Sequence, residues 1–313
     1  MKSIRYSAPG KVILSGEHAV VYGKPALVCA IDKRLSITFT PSEKTIYTDE
    51  IFPLLEKAVI DFLRKRKEPI KKRGYQYIVN SSIPIGQHLG SSAAYSACIA
   101  AGILELFTGR VWNKEEVNMC AYQVEKYFHK NPSGVDTSTS VMGGLIYYRK
   151  EFEFLKTISS LAIKIPKKIT ESLLLIDSGN PSETTGEMIQ SVGNLYNTDS
   201  ERTEHILNDI EKTVKRIIVS LMKEDVTFFK ENIEANQSLL EQLGVVSEET
   251  KQLLFQLREY GVGKITGGGG KKKGSGYVLF FCNNISECKK VLDKKSISYL
   301  SFIPSYTGLT KDL

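Results

Sequence analysis

Residues 83–94 read IPIGQHLGSSAA, a turn-rich loop that runs straight into a helix of small residues. A helix N-terminus presents unpaired N–H groups and the positive end of the macrodipole. Small side chains let an anion approach that backbone closely, and serine hydroxyls add ligands for phosphate or Mg²⁺. Two readings follow for Gly86, His88, Gly90, Ser91, Ser92 and Ala93: a phosphate cradle, or an ordinary serine-capped helix. The string is not GxxxxGK[ST], so the P-loop is excluded as its template.

Three further segments gather reactive residue types. In SAPGKVILSGEHAVVYGKPAL (7–27), Lys11 follows a Pro-Gly pair into an apolar strand, and Glu17 and His18 share a small-residue turn. Such a lysine either snorkels from an edge or is a fixed cation aimed at a site. In EKYFHKNPSGVD (125–136), Glu125 ends a helix and Asp136 follows a tight turn. Carboxylates placed so can converge, one as a Mg²⁺ ligand and the other as a base; Asp136 as a simple turn cap is the alternative. In KITGGGGKKKGSG (264–276), six glycines expose backbone N–H groups before a β-type run.

The elements that must position these residues read as α+β. Short strands are expected at 4–6 and 12–13 around a Pro-Gly turn, then at 34–39 and 75–80. A buried helix is expected at 91–107, and Asn113 with Glu116 predicts a capping box for a helix to about Phe128. Runs at 144–148 and 173–176 are β-rich. Helical periodicity marks 203–223, 226–243 and 248–260, followed by a strand at 277–282, a helix at 286–294 and a strand at 298–303. Mostly antiparallel sheets are expected, split near residues 155–172 into domains 1–165 and 166–313.

Composition narrows the class. The chain has 313 residues, with hydrophobic and charged fractions of 42% and 25%, as in ordinary globular proteins. No apolar leader opens it and no uninterrupted apolar run reaches the length of a membrane span, so a cytoplasmic protein without membrane contact is expected. Five scattered cysteines with no CxxC spacing, beside four histidines, argue against structural zinc and disulfides. The net charge of +7 is partly local, in RKRKEPIKKR at 64–73. That stretch lacks interleaved aromatics and reads as a solvated helix end rather than a nucleic-acid patch.

Together the four segments resemble the GHMP kinase family, and within it the mevalonate kinase branch. The family's phosphate loop reads PxGxGLGSSA, matched by Pro84 through Ala93, with His88 where the family usually has glycine. APGKVILSGEHAVVYGKPAL looks like that branch's first motif, HKNPSGVD is similar to HGNPSGVD, and the late glycine loop resembles the third motif. The resemblance implies a two-domain fold: an N-terminal α+β domain with a left-handed βαβ crossover, and a ferredoxin-like C-terminal domain. It implies Asp136 as general base, with Lys11 stabilising developing charge. Ser92 and Glu125 would hold Mg²⁺ against the ATP phosphates, and Gly86, His88, Gly90, Ser91, Ser92 and Ala93 would line the nucleotide. Glu17, His18, Thr184 and Thr185 would face the alcohol.

The implied reaction is ATP-dependent phosphorylation of mevalonate at its 5-hydroxyl. Another small alcohol (phosphomevalonate, homoserine or a sugar) is the alternative, and a homodimer is common among relatives. Three departures stand out. His88 either hinders a positive φ or adds a donor to the nucleotide. Lys271, Lys272 and Lys273 interrupt the third motif, more as an exposed insertion than as phosphate ligands. Residues 177–187 lack the arginine that mevalonate kinases place there, leaving Lys11, His18, hydroxyls or a distant cation to meet a carboxylate.

Overall fold

The computed structural model describes residues 2–129, 132–152 and 154–312; Lys130 and Asn131, inside the HKNPSGVD motif, lie outside them. Its strands and helices in chain order are β1 (Ile4–Ser15), β2 (Ala26–Pro41), α1 (Phe52–Lys65), β3 (Tyr75–Ser81), α2 (Ser91–Thr108), α3 (Lys114–Glu125), α4 (Val135–Met142), β4 (Leu145–Phe152) and β5 (Leu155–Leu161). The second half adds α5 (Lys167–Thr170), β6 (Leu173–Asp177), α6 (Thr185–Thr198), α7 (Ser200–Lys223), α8 (Val226–Gln242), α9 (Glu248–Leu257), β7 (Gly261–Ile265), β8 (Tyr277–Cys282), α10 (Ile285–Lys294), β9 (Tyr299–Ser301) and β10 (Thr310–Asp312).

One sheet runs β10-β1-β2-β4-β5 and the other β7-β8-β6-β9, and all the described pairings are antiparallel. The long β2 organises the first. Leu35–Pro41 pair with β3 and Ala26–Cys29 pair with β4, so β3 and β4 run in the same direction. Between them the chain leaves the sheet through α2, α3 and α4 and comes back. α2 is long and apolar enough to cross a membrane by composition, yet 72% of it is buried within the fold. Its Gly102 lies so flat on Phe39 that a Cβ would stand 2.1 Å from the ring. In the second sheet, β6 and β8 are apolar on both faces: one face packs on the first sheet's core together with α7 and α8, the other on residues of α6, α7 and α10. Leu173, Leu175, Tyr277 and Phe281 belong to the same core as Ala8, Val12 and Leu27.

The α+β, two-domain architecture is as expected, and the five cysteines are free and buried. Several local expectations are corrected. Pro9-Gly10 is no turn: β1 passes through it, with a register shift between the two residues. Proline lacks an N–H for the ladder, and bare Gly10 admits the Leu89 carbonyl, 2.7 Å from where a Cβ would stand. Asn113 does cap α3 by accepting from Glu116 N at 2.8 Å. The Glu116 carboxylate does not complete a capping box, however; it pairs with Arg66 at 3.0 Å. In the same basic stretch Lys72 meets Glu56 at 2.9 Å, so part of the charge is neutralised within the fold. β10 crosses back to pair with β1, fixed by Arg34. That guanidinium donates to the carbonyls of Ser7 and Gly308 at 2.9 Å each and to the Ser7 hydroxyl at 3.0 Å.

Candidate functional site

The site is built where β1, the start of α2 and the start of α4 meet. The Lys11 N–H donates to Leu89 O at 2.9 Å, which pins the 84–90 loop to the β1 bulge. Lys11's side chain then passes Gly90, whose missing Cβ leaves room: one would lie 2.8 Å from Lys11 Cγ. Gly90, at φ 81, is the N-cap of α2, and no side chain caps the helix. The N-terminal amides of α2, at Ser91 to Ala93, therefore keep the unsatisfied donor character of a helix start.

Asp136 sits in the first turn of α4, after Gly134 at φ 94. Its Oδ2 is 3.2 Å from Lys11 Nζ; the lysine is enclosed, whereas the carboxylate is about a third exposed. Exposure on the Asp136 side alone leaves an approach for a small hydroxyl. Glu125, at the end of α3, is buried and accepts from Ser92 Oγ at 2.8 Å and Ser96 Oγ at 2.6 Å. Burial pushes its carboxyl up, partly opposed by the two serine hydrogen bonds and by His129.

The residues facing the opposite wall do not behave as the sequence suggested. Glu17 is enclosed and bonded to Lys264, itself enclosed, so its carboxylate meets no substrate. Its place in a tight turn explains why: Gly16, at φ 103, lies against Ala26, and the Glu17 side chain is directed into the fold. Burial pushes the Glu17 carboxyl up and the Lys264 amine down, each opposed by the partner's charge.

His18, also at positive φ (58), places Nε2 3.0 Å from Gly268 O. A carbonyl oxygen only accepts, so Nε2 carries the proton. Burial lowers the ring's pKa to about 4, which keeps it neutral and leaves Nδ1 a bare acceptor. That Nδ1 is enclosed and has no partner. His18 therefore cannot neutralise a carboxylate.

His88 adopts φ 63, so histidine does not prevent the loop's left-handed turn. Glycines make room for it: a Cβ on Gly267 would stand 2.4 Å from His88 Cβ, and one on Gly276 3.3 Å from Nδ1. Burial, assisted by the Lys11 charge, lowers its pKa to about 4. Gly86, at φ 77, has open space around it.

Thr184 is occupied structurally. It caps α6, accepting from Glu187 N at 3.2 Å and donating to Glu187 Oε2 at 2.9 Å. Thr185 is the one that faces inward, its Oγ1 3.2 Å from a Cβ position at Gly268. The lysine triplet is exposed, and the Lys271 and Lys272 amides donate to Glu183 at 3.3 and 3.1 Å, which supports the insertion reading.

Sequence reasoning assigned no role to Lys264 or to Thr266, whose Oγ1 accepts from Ile13 N at 2.8 Å. A lysine inside the apolar run GVGKI was the available signal for the first.

Residues 54–144 match the family described as GHMP kinases N terminal domain. The chain is 31% identical over 299 residues to the mevalonate kinase of Pyrococcus abyssi, covering 84% of this chain and 85% of that one. It is 32% identical over 277 residues to the mevalonate kinase of Archaeoglobus fulgidus, covering 84% and 88%. Among solved structures it resembles the Lin0012 protein from Listeria innocua (TM-score 0.81, 19% identity, 99% of each chain). It also resembles L. major mevalonate kinase in complex with R-mevalonate (TM-score 0.77, 21% identity, 97% and 98% of the two chains).

Proposed function

Given that this chain belongs to the GHMP kinase family, we propose that it phosphorylates mevalonate at the 5-hydroxyl at the expense of ATP. The observation that carries the catalytic part is the Lys11–Asp136 pair, 3.2 Å apart and reached only from the partly exposed carboxylate, beside the uncapped start of α2. The choice of mevalonate is supported by the mevalonate kinases to which the chain is about 30% identical over most of its length.

In this reading the alcohol donates its proton to Asp136 as its oxygen attacks the γ-phosphorus, and the bond to the ADP oxygen breaks with its electrons leaving on ADP. Lys11, held beside that carboxylate, offsets the charge developing on the attacking oxygen. The amides at the start of α2 receive the phosphate oxygens. Phosphoryl transfer asks the protein mainly for alignment and charge neutralisation, and needs no covalent intermediate.

A Mg²⁺ ion suits the donors that Ser92 and Glu125 bring together: one hydroxyl and one carboxylate, 2.8 Å apart, are hard oxygen ligands. No group of three or more His, Cys, Asp or Glu suited to a metal occurs among the described residues. That fits an ion completed by phosphate and water rather than by a protein cage. When bound, the ion would neutralise phosphate charge.

One observation favours a different small alcohol. His18 and His88 are held neutral, and residues 177–187 carry no arginine. The test is ATP consumption with Mg²⁺ across mevalonate, phosphomevalonate, homoserine and galactose. Turnover on mevalonate alone is expected. Turnover on another alcohol only would overturn the substrate assignment and leave the roles of Asp136 and Lys11 standing.

A further inference from the structure

The ion pair between Glu17 and Lys264 has no exposed side-chain surface and takes no part in the chemistry above. Burying such a pair adds little net stability, because desolvating both charges offsets their attraction. Its surroundings suggest what it does. The Lys264 ammonium spends its three protons on Glu17 Oε1, on Ile13 O at 3.3 Å and on Ile265 O at 2.6 Å. On either side, Ile13 N meets Thr266 Oγ1 at 2.8 Å and His18 Nε2 meets Gly268 O at 3.0 Å. The pair thus lies at the centre of a seam joining the strand that carries Lys11, the turn that carries His18 and the mouth of the glycine loop.

We infer that Glu17 and Lys264 are positioning residues: an internal latch that fixes the His18 turn and the Gly267-Gly268 backbone relative to Lys11, and so orients the alcohol that reacts beside it. Neither side chain bonds to the start of α2, which in the proposed reading holds the nucleotide. The inference rests on the proposed reading in one respect, that the alcohol reacts beside Lys11 and Asp136.

Replacing one partner alone strands a charge in the core, so Lys264→Met is expected to impair folding whatever the pair's role. The informative variant is Glu17→Met combined with Lys264→Met, two unbranched apolar side chains in place of the pair. It is expected to unfold cooperatively within a few degrees of the parent. Its KM for the alcohol should rise by about 10- to 100-fold, the scale of a small misplacement at a reacting centre, with KM for ATP within about twofold. The ¹⁵N signals of His18 should change from those of a locked Nε2–H tautomer to an average of two.

A double variant with the parent's alcohol KM and an unchanged His18 tautomer would show the pair to be structural only, and would overturn the inference. So would a rise in the KM for ATP instead of the alcohol. The tautomer measurement requires no turnover. Failure of the parent enzyme to use mevalonate would therefore overturn the substrate assignment without deciding the fate of the latch.

Discussion

His88→Gly is the substitution whose consequence the structure determines most fully, because two opposing terms and a pH dependence can each be worked out. Removing a ring packed on Gly267, Gly268 and Gly276 costs about 3 kcal/mol, at the low end of aromatic truncations. Relieving φ 63 returns about 1 kcal/mol, and discarding the enclosed, unpartnered Nδ1 about 1 more. The variant should be less stable by about 1 kcal/mol at about pH 7.5.

Acid reverses the order. His88 is neutral in the fold with its pKa lowered to about 4, against about 6.5 in the unfolded chain. A depressed folded pKa gives stability that is present above the unfolded value and lost as pH falls toward the folded one. Between about pH 7.5 and pH 5 the parent should lose about 2 kcal/mol through this residue alone, and the glycine variant nothing. The glycine variant should then be the more stable by about 1 kcal/mol at about pH 5. Urea unfolding of both proteins at the two pH values measures the crossing. A stability difference that does not change with pH would refute the claim that the fold holds this ring neutral.

Asp136→Asn should lower kcat by about 10²- to 10⁴-fold while leaving the KM for ATP within about threefold, checked by steady-state kinetics. Glu125→Gln should raise the Mg²⁺ concentration for half-maximal turnover by at least about tenfold, read from a metal titration at saturating ATP. Arg34→Met removes the donors that tie Ser7 to Gly308 and should cost about 2–3 kcal/mol, with faster proteolysis near residue 308 as the accompanying sign.

The parts of the fold legible in the sequence are those where periodicity and packing agree. The strand at Tyr277–Cys282 and the helix beginning at Ser91 fall where expected because burial on all sides leaves near-continuous apolar runs. α4 was missed because VDTSTSVM is rich in β-branched and hydroxyl residues, which disfavour helix until Gly134 and the packing against α2 and α3 impose it. α6 is not expected from the sequence although Thr184 and Glu187 spell a capping box, since the preceding Gly-Asn-Pro is a loop signal. At the site, Lys11 with Asp136 and Ser92 with Glu125 were each within reach of motif reasoning. Glu17 was not: its partner lies 247 residues away, and no local pattern distinguishes a carboxylate facing a cleft from one facing a buried lysine.

The return of β10 to β1 carries a consequence for how the molecule is made. Arg5, Tyr6 and Ser7 find their partners on that edge about three hundred residues later in the chain, at Asp312, Lys311 and Thr310. Until those are synthesised, the strand that carries Lys11 has an open edge, of the kind that pairs with foreign strands. The seam at Lys264 likewise joins early sequence to late. Contacts of such long range slow folding and prolong exposure of the unpaired edge. A nascent chain of this protein is therefore expected to depend on chaperone protection until residues 310–312 have emerged, and to acquire its catalytic arrangement only then.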